Sequence, residues 1–273
     1  MSEFLQMLGF AFVRRALVAG VAIAIGCGLL GVFLVLRRQA MMGDGLAHFA
    51  FGAVGLALLL GCAPLALALP LTALASLAIF LLPERAGPYA DAAIGMISAL
   101  GVAAGVLMAS LGGGFNVDLF SFLFGDILAV NPGETALAAA LAVGVVALVF
   151  VARSEWLAIT YDETAARVAG IRPTRWRRLL AVLTALVVVL GIRLVGTMLV
   201  SSLLIFPAVT ALQERRSFRG VLATAPVFGA LSVVGGVGLA VAFDLPAGAT
   251  IVLWNAVFLA CSLARRSFRR RPA

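Results

Sequence analysis

Asp44 and His48 stand four residues apart in the segment Gly43-Asp44-Gly45-Leu46-Ala47-His48. On a helix that spacing puts both side chains on one face, one turn apart. A carboxylate oxygen and an imidazole nitrogen converging in this way can bind zinc or a similar divalent ion. His48 is the only histidine in the chain. A structural zinc site takes four ligands, so a tight metal cage from one chain is not expected. Two ligands suit a path that must release its ion, and two copies of the chain meeting on a two-fold axis would bring two such pairs together. The alternative is structural: Asp44 caps the helix start, where its charge favours the dipole, and His48 packs between helices.

Other acids are scattered. Asp118, Asp126 and Glu134 are expected near the outer face, with Asp126 reading as a turn cap after Phe124-Gly125. Asp91 reads as a helix start beyond Pro88, and Asp244 as part of a turn with Pro246. There is no HExxH for a membrane zinc protease and no GxSG beside the lone histidine for a serine protease. There is no GxxxxGK[ST] either, so no nucleotide is held by a P-loop, and uphill movement of an ion would need a partner or an ion gradient.

The elements that must position these residues are apolar. Of the 273 residues, 63% are hydrophobic and only 12% are charged, with a mean hydropathy of +1.16. A soluble domain runs nearer half apolar and a quarter charged. This composition excludes a soluble enzyme, a secreted disulfide scaffold and a disordered chain. Cys27, Cys62 and Cys261 show no CxxC spacing and read as small hydrophobes. The net charge of +8 does not indicate nucleic acid: the basic residues are all Arg, gathered in short stretches between apolar runs.

Runs of spanning length cover 16–36, 41–61, 63–82 (stopped at Pro83), 90–111 and 133–152. The stretch 179–212 is long enough for two spans and is divided near Arg193 and Gly196. A span from Gly220 to about Phe243 and a last one ending at Arg265 follow. Residues 115–132 read as a short helix or re-entrant piece. The fold class is therefore all-α: a single polytopic membrane helix bundle over residues 1–273, with nine spans, or eight if two pieces form one broken helix. Seventeen of the 20 Arg fall on one side of this topology, leaving Arg14, Arg15 and Arg193 on the other. The positive-inside rule then puts the N-terminus outside and the C-terminus in the cytoplasm. The opening stretch is too short and too interrupted to be a cleavable signal peptide, so the first span is expected to direct its own insertion. Paired small residues such as Gly101 and Gly105 predict close helix packing.

The polar stretch 153–178 predicts a short cytoplasmic helix from Asp162 to Ala169, ended by Gly170 with Pro173 beyond. It reads either as a solvated connection or as a docking helix for a cytoplasmic partner.

Five ordered segments then carry a resemblance: LRRQAMMGDGLAHFAFGAVGLAL (36–58), LFSFLFGDILAVNP (119–132), TYDETAARVAGI (160–171), LVGTMLVSSLLIFPAVTA (194–211) and FDLPAGATIVL (243–253). Together they make the chain similar to the membrane permeases of bacterial ABC importers for divalent metals, and most like zinc permeases of the ZnuB type. The resemblance implies a homodimer in the cytoplasmic membrane, an ABC ATPase docked beneath each copy and an outer-face metal-binding protein that delivers the cargo. It implies no permanently bound cofactor, with zinc as the transported metal and manganese or iron as alternatives. It places Asp44 and His48 on the ion path. It assigns 160–171, with Asp162, Glu163, Ala166 and Gly170, to coupling with the ATPase. Zinc permeases of this type often carry a further histidine in the fourth span, whereas this chain reads Gly95-Met96-Ile97-Ser98-Ala99-Leu100.

Overall fold

The computed structural model describes residues 10–86, 90–112, 130–215 and 217–269. Ten helices run through them: α1 (Ala11–Leu36), α2 (Met41–Leu59), α3 (Pro64–Ala86), α4 (Ala90–Leu111), α5 (Pro132–Tyr161), α6 (Glu163–Val168), α7 (Pro173–Val195), α8 (Thr197–Glu214), α9 (Phe218–Phe243) and α10 (Ala247–Arg269). There is no strand among the described residues, and the chain is all-α. Seven helices are long and apolar enough to cross a membrane, and Pro64–Ile79 in α3 and Leu199–Glu214 in α8 are shorter apolar stretches. These correspond to the runs read from hydropathy, and α6 is the short helix expected outside the bundle.

The element ends differ from the hydropathy reading where a helix outlasts its apolar run. α1 starts at Ala11, so Arg14 and Arg15 lie in its first turns, and Arg15 Nε donates to the Ala11 carbonyl at 3.3 Å. α3 does not stop at Pro83 but continues to Ala86, because one missing N–H near a helix end forfeits only one backbone bond. α5 does not end near Ala152. It runs for 30 residues to Tyr161, about 45 Å at the usual rise. Charged side chains need water rather than coil, so the last turns of α5 extend past the apolar run as helix. Its start is fixed by a capping box: Asn131 accepts from Glu134 N at 2.8 Å, and Glu134 Oε2 accepts from Asn131 N at 3.2 Å. The short element expected at 115–132, with Asp118 and Asp126, lies mostly outside the described residues.

α1 threads the centre, with Ile23, Leu30, Phe33 and Leu34 all buried, and packs against α5, α7, α8 and α9. The division between α7 and α8 falls at Gly196, whose φ of 86° and ψ of 163° belong to a region that essentially only glycine adopts. Val195 and Thr197 beside it are each 2% exposed. A helix break inside an apolar bundle survives when it is buried in protein and its backbone is bonded. Here Gly196 N donates to the Ile192 carbonyl at 2.9 Å.

The two ends of the bundle carry different sets of arginines. At one end Arg37 Nη1 donates to the Ile159 carbonyl at 3.4 Å, and Arg177 pairs with Glu163 at 3.3 Å. At the other, Arg193 Nε pairs with Glu134 at 3.1 Å, and Arg14 and Arg15 line a recess with Pro132 and Thr135. The division matches the arginine grouping of the sequence, which assigns the Arg37 end to the cytoplasm.

Lipid supplies no hydrophobic drive between helices, so close contact through small residues carries the packing. α2 and α4 meet this way. A Cβ on Gly52 would lie 2.6 Å from the Gly101 carbonyl oxygen, and one on Gly101 would lie 2.6 Å from the His48 carbonyl oxygen. Gly101→Ala is therefore expected to force α2 and α4 apart and lower the melting temperature in detergent by roughly 2–4 °C or more. Gly95→Ala on the same helix, where a Cβ meets nothing within 4 Å, is expected to leave it unchanged or slightly raised. A thermal-shift comparison of the two variants checks this.

Candidate metal path

Asp44 lies in the first turn of α2, yet it does not cap that helix. The cap position is Ala40, with no side-chain bond. The Asp44 carboxylate has its partners on α8 and on the next turn of α2. Its Oδ1 accepts a hydrogen bond of 3.1 Å from Ser201 Oγ on α8. Its Oδ2 stands 3.6 Å from His48 Nε2. The i,i+4 juxtaposition expected from spacing is thus present; Asp44 is not the cap, but it stands in the first turn, where its charge favours the helix dipole.

That 3.6 Å separation has a chemical meaning. It is too long for a hydrogen bond. Two ligand atoms bonded to one zinc at about 2.0–2.2 Å, at a tetrahedral angle, stand about 3.4 Å apart. The pair is spaced as two donors around a shared ion are spaced. The His48 side chain is 28% exposed and that of Asp44 35%, so both remain accessible. Their neighbours Met42, Gly43, Gly45, Leu46 and Ala47 are buried. His48 Nδ1 is buried without a hydrogen-bond partner, so packing rather than a bond orients the ring. No group of three or more His, Cys, Asp or Glu side chains that could hold a metal occurs among the described residues.

The backbone around the pair is fixed from both sides by missing side chains. A Cβ on Gly43 would lie 2.4 Å from Leu204 Cδ1 of α8, and one on Gly45 would lie 2.7 Å from Ile94 Cγ2 of α4. Glycine at these positions lets α8 and α4 close on α2 beside Asp44. In the fourth span, the segment without a second histidine begins at Gly95, directly after Ile94.

The second set of expected residues forms a built element. Asp162 caps α6, accepting from Thr164 N at 2.8 Å and Ala165 N at 3.0 Å. Glu163 accepts from Arg167 at 2.6 Å and from Arg177 of α7 at 3.3 Å. Ala166 is buried beneath the helix. Gly170 takes a φ of 84°, which turns the chain toward Pro173 at the start of α7. Tyr161 and Val168 beside these anchors are 93% and 87% exposed. Arg37, in the turn after α1, faces the same cluster. Burial and the neighbouring Arg177 hold its guanidinium below the ordinary arginine range, while Glu163 opposes them.

Sequence reading missed the residues that tie this element to the bundle. Trp156 Nε1 donates to the Trp176 carbonyl at 3.0 Å. The Trp156 ring lies 6.1 Å from that of Trp176 and 5.1 Å from that of Phe33. Arg177 and Ser201 were also missed. Ser201 carries one signal, a hydroxyl pair (Ser201 and Ser202) inside an apolar run.

Apolar helices around one carboxylate–imidazole pair, with a capped and charged helix projecting at one end, describe a membrane transport protein. The chain belongs to the ABC 3 transport family, which it matches over residues 9–266. It is 31% identical to the high-affinity zinc uptake system membrane protein ZnuB of Haemophilus influenzae, over 94% of this chain and 98% of that one. It is 30% identical to the manganese transport system membrane protein MntC of Halalkalibacterium halodurans, over 92% and 86% respectively. Among solved structures it superposes on a chain of PsaBC from Streptococcus pneumoniae, determined in complex with Fab, with a TM-score of 0.86 and 30% identity. That match covers 96% of this chain and 95% of the other. The protein is a multi-pass permease of a bacterial metal ABC importer, resident in the cytoplasmic membrane.

Asp162→Ala removes the cap of α6 and is expected to cost about 1 kcal/mol locally. Hydrogen–deuterium exchange should then speed up roughly fivefold at the Thr164 and Ala165 amides, with α1 and α9 unchanged.

Proposed function

We propose that the chain passes a divalent transition metal inward between Asp44 and His48, with zinc as the first candidate. The observation that carries this reading is the 3.6 Å bite between Oδ2 and Nε2, a carboxylate and an imidazole set apart as two ligands of one ion are. Zinc accepts both donor types. An ion moving through gives up water, meets the pair, and leaves because two ligands do not trap it.

The energy comes from elsewhere in the assembly. We assign α6 and its flanks, 160–171, as the surface for a separate cytoplasmic ABC ATPase. The support is its construction: a rigid capped turn, anchored through Glu163 and Ala166, that exposes Tyr161 and Val168 to a partner. A second permease copy would bring a second Asp44/His48 pair to a shared path, and an outer-face binding protein would load it. Closing of the ATPases on ATP would push α6 and switch the path between outward and inward openings.

A second cargo is favoured by a separate observation. Ser201 adds a hydroxyl oxygen beside Asp44, and the segment Gly95 to Leu100 lacks a further histidine. Oxygen donors suit manganese, and iron belongs to the same alternative. Uptake of zinc, manganese and iron by the complex in liposomes, compared side by side, decides among them.

His48→Ala is expected to abolish ATP-dependent metal uptake at normal protein level in the membrane. Full uptake by that variant removes the proposal. An ATPase should also copurify with the chain and fall away when 162–170 is altered, whereas metal flux persisting without any ATPase would indicate a secondary transporter.

A further inference from the structure

We propose that Ser201 sets the metal preference of this path by positioning Asp44 and adding an oxygen donor beside it. The inference rests on the reading of Asp44 and His48 as the pair the cargo meets. The break at Gly196 starts α8 inside the bundle, and one turn later Ser201 meets Asp44, 157 positions away in sequence. Its hydroxyl has one proton and two acceptors in reach: Asp44 Oδ1 at 3.1 Å and the Thr197 carbonyl at 3.4 Å. The carboxylate is nearer and, when ionised, takes the stronger bond.

That bond decides which way the carboxylate faces. With Oδ1 held by α8, Oδ2 is turned to His48 Nε2. Without it, the carboxylate turns about its Cβ–Cγ bond and Oδ2 leaves its place opposite the imidazole. The serine oxygen keeps lone pairs of its own. Asp44 offers two oxygens, with the Ser201 oxygen on one side of it and the His48 nitrogen on the other. Manganese favours oxygen donors, and zinc is well served by imidazole. Loss of Ser201 should therefore weaken manganese more than zinc.

The helices themselves do not depend on this bond. α2 is set against α8 by the tight seat of Gly43 on Leu204. Ser201 is only partly buried, so alanine there leaves little cavity. A change in transport on its removal thus reports positioning rather than collapse of the fold.

The test uses the full chain assembled with its ATPase in liposomes. Zinc and manganese are measured by uptake, or by competition against whichever of them is carried. Ser201→Ala is expected to raise the apparent KM for manganese about tenfold and for zinc about two- to threefold, with Vmax and melting temperature little changed. Ser201→Thr, which keeps the hydroxyl, should retain wild-type constants. Equal changes for both metals, no change, no manganese competition in the wild type, or a Ser201→Thr variant that behaves like Ser201→Ala would each overturn the proposal. Asp44→Ala and His48→Ala serve as separate controls. If both leave uptake intact, the reading of the pair itself has failed; if both abolish it while Ser201→Ala is silent, only the role of Ser201 is lost.

Discussion

A carboxylate set among apolar helices must be given partners. On insertion scales an acidic side chain costs about 2.5–3.5 kcal/mol at mid-span, and Asp44, near a helix start and part exposed, bears less. What remains is met by one serine hydroxyl and by the histidine one turn along the same face. The surrounding helices bring these three groups together. Gly43 and Gly45 admit Leu204 and Ile94 against the backbone on either side. The break at Gly196 delivers the first turn of α8 into the bundle instead of carrying it past the site as one long helix.

α7 connects this arrangement to the cytoplasmic end. It is a helix of 23 residues, about 34 Å long. It is held near its start by Arg177 to Glu163 of α6 and near its end by Arg193 to Glu134 of α5. Trp156 and Trp176 stiffen the lower joint, and Gly196 is the upper one. Under the proposed coupling, a displacement of α6 travels along a rigid rod to a glycine joint one turn from Ser201. The rod, the joints and the proposed readout are contiguous in the chain from Glu163 to Ser201, so no long-range relay through side chains is required.

Much of this was legible in the residues, for stated reasons. Lipid demands runs of about 20 apolar residues, so the apolar runs could be read directly, although nine or eight spans were expected and seven helices have spanning length, with shorter apolar stretches in α3 and α8; the division at Gly196 could be placed because one run was too long. The short helix α6 was legible because Asp162, Gly170 and Pro173 are capping and stop signals with local causes. The Asp44/His48 pair was legible because i,i+4 is a property of one helix. Ser201, Arg177 and Trp156 were not, since each acts across helices and no spacing rule links positions so distant. The ends of α1, α3 and α5 were misplaced because hydropathy reports where lipid stops and not where backbone hydrogen bonding stops. The identity of the cargo was not legible either, since two ligands suit several ions, and relatives of near-equal identity carry names for both zinc and manganese.

The central claim is that the imidazole of His48 touches the cargo. Because this chain has a single histidine, isotope labelling isolates it. The permease, carrying nitrogen-15 histidine and a histidine-free affinity tag, is assembled with unlabelled partners and loaded with manganese as the paramagnetic ion. Pulsed electron paramagnetic resonance should then show a directly bonded nitrogen-15 coupling that vanishes in unlabelled protein. A manganese ion that binds to the permease with no coupling to the labelled ring would contradict the account.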